Sequence, residues 1–195
     1  MLYKLGQELL QEADAVLTKS PQLQYEDNGY IEASSQSDLL KYHPEVVLYR
    51  PQIPQNTGSI ARLCAAFSAT LHLVGPMGFQ ITEKKVRRAG LDYWEYVNLY
   101  LHENWDNFVQ TRSQRRYVFV ETGEIETPVN FQFLPGDLLI FGAETFGIHK
   151  EVITEAKQKG NAYQITIPMF NRGVRSINLA NTVSIVLYQA IARLH

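Results

Sequence analysis

A polar loop from Pro51 to Arg62 holds the first side chains that could do chemistry. Its two prolines stiffen the chain, and Asn56 or Thr57 can cap the helix that follows. Gly58 removes a side chain where another group could approach the backbone closely. Arg62 lies on that helix and is expected to point away from its apolar face. The competing interpretation is an ordinary capped helix with a surface arginine.

A second loop, from Phe141 to Ile148, follows an apolar run and places one carboxylate between two glycines. Gly142 and Gly147 suit a tight turn whose backbone amides face a ligand. Glu144 is either a solvated loop acid or a carboxylate held in position, and the sequence leaves both interpretations open. The loop is not a dinucleotide fingerprint, because Gly-x-Gly-x-x-Gly occurs nowhere in the chain, and neither does a Walker A sequence.

The third segment, from Ile167 to Asn181, leads from an apolar run into a helix expected to begin at Ser176 or soon after. Asn178 and Asn181 are three positions apart and share one side of its first turn. Asparagine is a poor helix-interior residue because its side chain competes for the backbone hydrogen bonds. Two asparagines in one turn therefore indicate defined hydrogen-bonding roles. The alternative is that Ser176 caps the helix and both asparagines are exposed.

Apolar patterns predict the elements that must position these loops. Apolar residues at helical spacing predict one helix through Ile60 and Phe67 and another from Leu179 to Leu194. Strands that alternate with helices favour an α/β fold, with a mainly parallel sheet and helices on both faces. Ligands of such sheets bind at the carboxyl ends of the strands, where the three loops are expected. The predicted buried strands are Val46–Tyr49, Leu71–Val74, Tyr117–Glu121, Leu138–Phe141 and Gln164–Ile167.

The charge distribution divides the chain into an acidic head and a mildly basic body. The net charge is −2, but residues 1–45 carry eight acidic and three basic side chains, and the remainder carries 15 basic and 12 acidic ones. A mildly basic body permits binding of a polyanion without diagnosing it. One basic run with aromatic neighbours is either a solvated face or an RNA contact, and it comprises Lys84, Lys85, Arg87, Arg88, Tyr93, Trp94 and Tyr96.

Composition disfavours several other classes of protein. The apolar runs are far shorter than the roughly 20 residues that span a bilayer, and no secretory signal is recognisable. The single cysteine, Cys64, has no partner for an internal disulfide, and the five histidines lack the spacing of a metal site or a catalytic dyad. We therefore expect a cytoplasmic protein with no metal and no membrane association.

Five stretches of the chain together resemble the SPOUT superfamily of RNA methyltransferases. The similarity is greatest to its TrmL branch, which methylates the ribose 2′-hydroxyl of cytidine or uridine at the tRNA wobble position. The stretches cover the chain from about Val46 to the C-terminus, and RRAGLDYWEY and PMGF are the most specific to that branch. They are VVLYRPQIPQNTGSIARLCAAF, LHLVGPMGF, RRAGLDYWEY, FGAETFGI and IPMFNRGVRSINLANTVSIVLYQA.

This resemblance implies a C-terminal trefoil knot, S-adenosylmethionine bound in the knot, and a homodimer with its active site at the interface. Knots are essentially absent from other folds, so no residue pattern predicts one. Arg62 is expected to act on the 2′-hydroxyl, and four further residues would hold the cofactor and the ribose: Asn56, Glu144, Ser176 and Asn178. The implied cofactor pocket comprises Val120, Gly142, Gly147, Ile167, Ser176 and Asn181.

The implied RNA substrate is the anticodon loop of tRNA, whose splayed bases can stack on aromatic side chains. A reaction at a 2′-hydroxyl excludes DNA as the substrate. No metal is needed, because the sulfonium already makes the methyl group a good electrophile. Phosphate contacts are expected from six arginines: Arg50, Arg87, Arg88, Arg115, Arg172 and Arg175.

The resemblance also divides the chain into two parts. Residues 1–44 form an acidic, partly helical N-terminal extension of unassigned role, and residues 45–195 form the methyltransferase domain. Helical spacing predicts an amphipathic helix over residues 2–17, packed on the body or its dimer mate, with a mobile tail as the alternative.

Two other functions stay open. One is a 2′-O-methyltransferase acting on ribosomal RNA, although the extension is small and acidic for an RNA-binding domain. The other is a non-catalytic knotted RNA-binding protein. A small-molecule enzyme is disfavoured, because nucleotide fingerprints and an acid/base pair are missing.

Overall fold

Eight short strands form two sheets in the computed structural model, which describes residues 24–25, 31–32, 41–79, 93–123 and 126–195. The predicted helix over residues 2–17, Arg87 and Arg88 lie outside these ranges. Two strands pair antiparallel, β1 (Gln24–Tyr25) and β2 (Ile31–Glu32). The other six are parallel in the spatial order β5-β4-β3-β7-β6-β8. They are β3 (Glu45–Tyr49), β4 (Leu71–Val74), β5 (Leu99–His102), β6 (Tyr117–Val120), β7 (Leu138–Phe141) and β8 (Ala162–Ile165).

Helices cover both faces of the parallel sheet. The α-helices that the described ranges contain in full are α1 (Pro54–Ala66), α2 (Trp105–Arg112), α3 (Lys150–Gln158) and α4 (Leu179–Leu194). Successive side chains of a strand point to opposite faces. Val46 and Leu48 of β3 therefore join α1 and α4 in one core, and Val47 joins α2 and α3 in the other. The predicted mainly parallel sheet with helices on both faces is confirmed.

The predicted bounds of β8 were wrong by two residues. The strand spans Ala162–Ile165, two residues before the predicted Gln164–Ile167. Its pairing with β6 ends there, because the backbone amide of Thr166 donates instead to the carbonyl of Glu126, 2.8 Å away. Ile167 is thereby outside the sheet and free to contribute to a loop.

Three elements of the parallel sheet and its covering helices were not singled out from the sequence. The strand β5 lies at the sheet edge, where Tyr100 and Leu101 are exposed, so no buried apolar run marks it. The helix α2 buries only Phe108, and α3 buries only Ile153 and Ala156. Short helices with so few buried positions give a weak periodic pattern. Within the described ranges, no helix has the length and apolarity that a membrane crossing requires.

A buried polar network joins β3, β4 and β5 near the amino ends of β3 and β4. The Nε2 of His72 lies 2.6 Å from a Glu45 oxygen, and its Nδ1 lies 2.9 Å from Nε2 of His102. A carboxylate only accepts, so Nε2 of His72 donates to Glu45 and Nδ1 accepts from His102. Arg115 donates to the other Glu45 oxygen at 2.6 Å. The sequence spacing had indicated no such pairing, because the partners are 27 to 70 residues apart.

Candidate active site

Three loops meet in a cleft at the carboxyl ends of the parallel strands. The cleft has a volume of about 250 Å³. Its walls come from the start of α1, the turn after β7, and the segment between β8 and α4. Eight of the residues expected at the site line this cleft: Asn56, Val120, Gly142, Glu144, Gly147, Ile167, Ser176 and Asn178.

Glu144 is a carboxylate held in position, which resolves the choice left open by the sequence. Its Oε2 accepts the backbone amide of Gln52 at 2.9 Å, and its Oε1 accepts that of Ile53 at 3.2 Å. The same Oε1 accepts Nδ2 of Asn56 at 3.0 Å. All these donors belong to the N-terminus of α1 or lie just before it. Negative charge is favoured there, because the helix dipole and unpaired amides favour an anion.

The expectation that Asn56 or Thr57 caps α1 was wrong. The helix begins at Pro54, with Ile53 at the cap position and no side-chain cap of its own. Proline is favoured at the first helical position. A backbone amide there would have no acceptor within the helix, so its absence costs no hydrogen bond. Asn56 is thus inside the first turn, buried, with its side chain free to bridge to other loops.

A buried asparagine links the first loop to the third. Because the Glu144 carboxylate can only accept, Asn56 turns its Nδ2 toward that group and its Oδ1 toward Asn178. The Nδ2 of Asn178 donates to this Oδ1 at 3.1 Å. The Oδ1 of Asn178 then accepts the backbone amides of Ala180 and Asn181. Glu144, Asn56 and Asn178 therefore form one chain of hydrogen bonds across the cleft, which we call the three-loop chain.

The helix α4 begins three residues later than the earliest expected start. It starts at Leu179, within the expected range, and the N-cap residue is Asn178 rather than Ser176. Ser176 is exposed in the preceding segment and lines the cleft. One of the two asparagines has the defined hydrogen-bonding role that their spacing indicated. Asn181 is exposed and does not line the cleft.

The turn after β7 is a closed loop built on glycine. The backbones of Ala143 and Gly147 exchange hydrogen bonds of 3.1 and 2.9 Å. A Cβ on Gly142 would lie 2.3 Å from the carbonyl carbon of Gly147, so only glycine fits. Gly147 adopts φ +68°, a conformation that side chains disfavour. The two glycines thus allow this turn to fold back as a wall of the cleft.

Glu121 is a cleft residue that the sequence reasoning missed as a site residue. It follows β6 and is half-buried, and its Oε1 accepts the backbone amide of Ile148 at 2.9 Å. Burial raises the pKa of this carboxyl, against the lowering effect of bonds from the backbone amides of Ile148 and Thr122. The available signal was an acidic residue at the end of the predicted buried strand Tyr117–Glu121, because the cleft lies at that end of the sheet.

Sequence comparisons identify proteins similar to this chain. The description SpoU rRNA Methylase family matches residues 43–188, which contain all three loops. This chain belongs to the SpoU methylase family. A tRNA (cytidine(34)-2′-O)-methyltransferase of Methylovorus glucosotrophus is 39% identical over 75% of this chain and 92% of its own length. The enzyme of the same name from Burkholderia ambifaria is 40% identical over 74% of this chain and 92% of its own length.

Solved structures of SpoU-type methyltransferases share the fold. A structure concerned with 2-OH methylation of C/U34 on tRNA superposes with a TM-score of 0.69 and 37% identity, over 79% of this chain and 97% of that one. The SpoU methyltransferase AviRb of Streptomyces viridochromogenes, in complex with AdoMet, has a TM-score of 0.64 and 22% identity, over 84% of this chain and 63% of that one. The second likeness concerns the fold alone.

Arg62, expected to act on the substrate, does not line the cleft of this SpoU methylase chain. It is exposed on α1, and its guanidinium carbon lies 4.6 Å from the ring centroid of Tyr93. The Tyr93 hydroxyl donates to the carbonyl of Gly58 at 2.9 Å. Tyr93 is thus anchored to α1 and restricts the position of Arg62 through a cation–π contact. What approaches the backbone at Gly58 is this tyrosine.

The described arginines of the expected RNA surface divide into two groups. Arg172 and Arg175 are exposed on the loop that leads to the cleft, and Arg50 follows β3 with its guanidinium over the ring of Phe146. Arg115 lies at the amino end of β6, so it is at the end of the strands opposite to the cleft. It is held there by Glu45 and by two bonds to the carbonyl of Gly136. We therefore leave Arg115 out of the RNA surface proposed below.

Proposed function

We propose that this chain transfers a methyl group from S-adenosylmethionine to the ribose 2′-hydroxyl of nucleotide 34 of tRNA. The observation that carries the proposal is the alignment with the tRNA (cytidine(34)-2′-O)-methyltransferases, which spans 92% of their length. The three-loop chain supports it, because Glu144, Asn56 and Asn178 hold the walls of a ligand-sized cleft together. The substrate is then the anticodon loop, and the reaction is cytoplasmic.

The residues of the cleft fit S-adenosylmethionine. Val120, Phe141 and Ile167 offer an apolar surface to a purine ring. Gly142 and Gly147 leave the backbone of the turn accessible for hydrogen bonds. No lysine, arginine or histidine is among the cleft residues within the described ranges, which suits a positively charged ligand. When bound, the cofactor supplies an electrophilic methyl group on sulfur.

Arg62 is the residue that we propose acts on the ribose. A guanidinium stays protonated at neutral pH, so it is a poor base. It can orient the 2′-hydroxyl and stabilise the negative charge that develops on its oxygen while a phosphate or water takes the proton. Ser176 and the three-loop chain would hold the cofactor and the ribose against it.

A homodimer would bring Arg62 to a cleft. Arg62 is six residues after Asn56, roughly 240° around α1, so the two side chains leave the helix in different directions. We therefore propose that Arg62 of the partner subunit completes each cleft. The family membership also supports the proposal that the segment after β8 is threaded as a trefoil knot.

The RNA surface that we propose surrounds the mouth of the cleft. Arg50, Arg172 and Arg175 would bind phosphates, together with Arg87 and Arg88, which lie outside the described residues. Their contacts would make binding weaken as the salt concentration rises. Because the acceptor is a 2′-hydroxyl, DNA of the same sequence cannot be a substrate.

The experiment that tests this function is methylation of total tRNA by the purified protein, followed by mapping of the modified nucleotide. Incorporation of one methyl group at the 2′-oxygen of nucleotide 34 is the expected result. Incorporation at another nucleotide, or on a base, would contradict the proposal.

Replacing Arg62 by alanine tests the catalytic role. We expect the R62A variant to lose at least 100-fold in turnover, about the effect of removing one charge-stabilising group. Cofactor affinity should persist, because Arg62 does not line the cleft of its own subunit and is proposed to act on the ribose. Lysine 157, an exposed cation on α3, provides the control K157A, which should keep full activity. Near-normal activity of R62A would refute the role.

Ribosomal RNA is the second candidate substrate, because the family description that matches residues 43–188 names rRNA methylases. Competition between total tRNA and ribosomal RNA for a limiting amount of labelled cofactor separates the two. A preference for ribosomal RNA would replace tRNA as the substrate but leave the reaction type unchanged. A scaffold protein without turnover would bind RNA and transfer no methyl group to either.

A further inference from the structure

Glu121 is held in the cleft wall by backbone amides. Its Oε1 accepts the amide of Ile148 at 2.9 Å, and Gly147 packs against the same carboxylate, since a Cβ there would lie 3.2 Å from Oε1. The carboxylate is half-buried and lines the cleft. Its position is therefore defined by the same turn that forms the cofactor wall.

This carboxylate has no cationic partner in the described part of the chain. The ion pairs found there involve Glu45, Asp137 and Glu155, and not Glu121. Only desolvation and backbone amides act on its ionisation, and burial raises its pKa. A half-buried carboxylate without a counterion is costly, and a cation entering the cleft would remove that cost.

Glu144, the other carboxylate of the cleft, has a different environment. It accepts three donors at the N-terminus of α1, where the helix dipole stabilises its charge. Its negative charge is thus already compensated within the protein. Glu121 is the cleft carboxylate whose charge is available to a ligand.

We propose that Glu121 makes the cleft select the cationic, methylated cofactor over its uncharged thioether product, S-adenosylhomocysteine. This inference rests on the proposed function. The two molecules differ by one methyl group and one positive charge, so an uncompensated carboxylate distinguishes them by electrostatics. Loss of the charge at methyl transfer weakens the attraction, which favours release of the product and entry of a new cofactor.

The test is the ratio of two dissociation constants, measured by titration calorimetry on the full chain without RNA. The wild-type protein should bind S-adenosylmethionine more tightly than S-adenosylhomocysteine. The E121Q variant keeps an acceptor for the Ile148 amide but removes the charge. We expect it to lower the preference by about fivefold, the size of a partly screened charge contact, mainly through weaker binding of the cation.

Matched variants separate charge from structure. E121D keeps the charge and should retain most of the preference, even if both affinities fall. E151Q makes the same change at an exposed position on α3 and should leave the ratio at its wild-type value. In the wild type, the preference should grow as the pH rises through the raised pKa of Glu121, because only the carboxylate attracts the cation. It should shrink as salt is added.

The possible failures are distinguishable. If E121Q bound both ligands more weakly by the same factor, Glu121 would contact a part that they share, such as the ribose, and the inference would be overturned. An unchanged ratio would overturn it as well, and the pH series on the wild type decides the question even if E121Q folds poorly. If the wild type binds neither molecule, the proposed function itself fails.

Discussion

At the scale of the residue, the carboxylate oxygens of Glu144 determine how the three loops of the cleft are hydrogen-bonded. A carboxylate only accepts hydrogen bonds, and the three groups that face Glu144 only donate. That constraint continues to Asn56 and Asn178, whose side-chain orientations follow from it. The carboxylate at position 144 thereby determines the hydrogen bonds of the two other loops.

The E144Q variant should break this arrangement although it is nearly isosteric. A glutamine turns its NH2 group toward at least one of the donors from Gln52, Ile53 and Asn56, and leaves that donor unpaired. We expect the free energy of unfolding to fall by about 1 kcal/mol, the lower end of the cost of an unsatisfied polar group, because these donors are partly buried or exposed. Urea unfolding of E144Q and of the surface variant E151Q measures it. Equal stability of the two variants would show that Glu144 is not the partner that the geometry indicates.

At the residue scale, the sequence predicted which residues lie at the site better than it predicted their hydrogen-bond partners. The glycines, Glu144, Asn56 and Asn178 were all selected from loops expected at the carboxyl ends of the strands, where ligands of parallel sheets bind. Their partners were not predictable, since Glu144 is 88 residues from Asn56 and Asn178 is 122 residues from Asn56. Only the folded sheet brings such distant positions into hydrogen-bond range.

At the scale of the element, the turn after β7 depends on the absence of a side chain at Gly142. Its Cα lies against the backbone of Gly147 and Ile148, where a methyl group would be 2.3 to 2.6 Å from backbone atoms. Backbone cannot move aside as a flexible side chain can. A methyl group added at position 142 would therefore displace the turn and the cleft wall together.

The G142A variant should lose both stability and cofactor binding. We expect the free energy of unfolding to fall by about 1–3 kcal/mol, as for overpacking of a tight site. The matched change G58A lies inside α1, where the nearest atom is the Tyr93 hydroxyl at 3.9 Å. Alanine should stabilise that helix by about 0.5–1 kcal/mol. Thermal unfolding of both variants tests the contrast, which would be disproved if G142A were as stable as G58A.

Elements were predictable from the sequence where burial was complete. Fully buried strands such as β4 and β7 were predicted at their observed bounds, because at least three of the four residues in each are large and apolar. The edge strand β5 was missed because Tyr100 and Leu101 are exposed. The start of α1 was misplaced, because the amides before its first turn are bound by a carboxylate from another loop. The bounds of α4 agree with its apolar pattern from Leu179 to Leu194.

At the scale of the whole molecule, histidines with lowered pKa values link stability to pH. Burial lowers the pKa of His72, His43 and His195, and it lowers that of His102 to about 4. In the unfolded chain a histidine titrates near 6.5. Between its folded pKa and 6.5, each of these histidines binds more protons in the unfolded state, so its contribution to stability is complete above pH 6.5 and falls as the pH is lowered.

The H102Q variant isolates one contribution to this loss. Glutamine can still donate to Nδ1 of His72 but does not titrate. We therefore expect its melting temperature to fall less steeply than that of the wild type between pH 6.5 and about 4, the interval bounded by the folded pKa of His102. Melting curves at half-unit intervals measure the two slopes. Identical slopes would show that His102 does not contribute.

The three-loop chain also has a consequence for biosynthesis. Its members come from positions 56, 144 and 178 of a chain of 195 residues. A growing polypeptide therefore has no complete three-loop chain until Asn178 has been added. Fragments that end before α4 should therefore lack a closed cleft even where their remaining strands pair correctly.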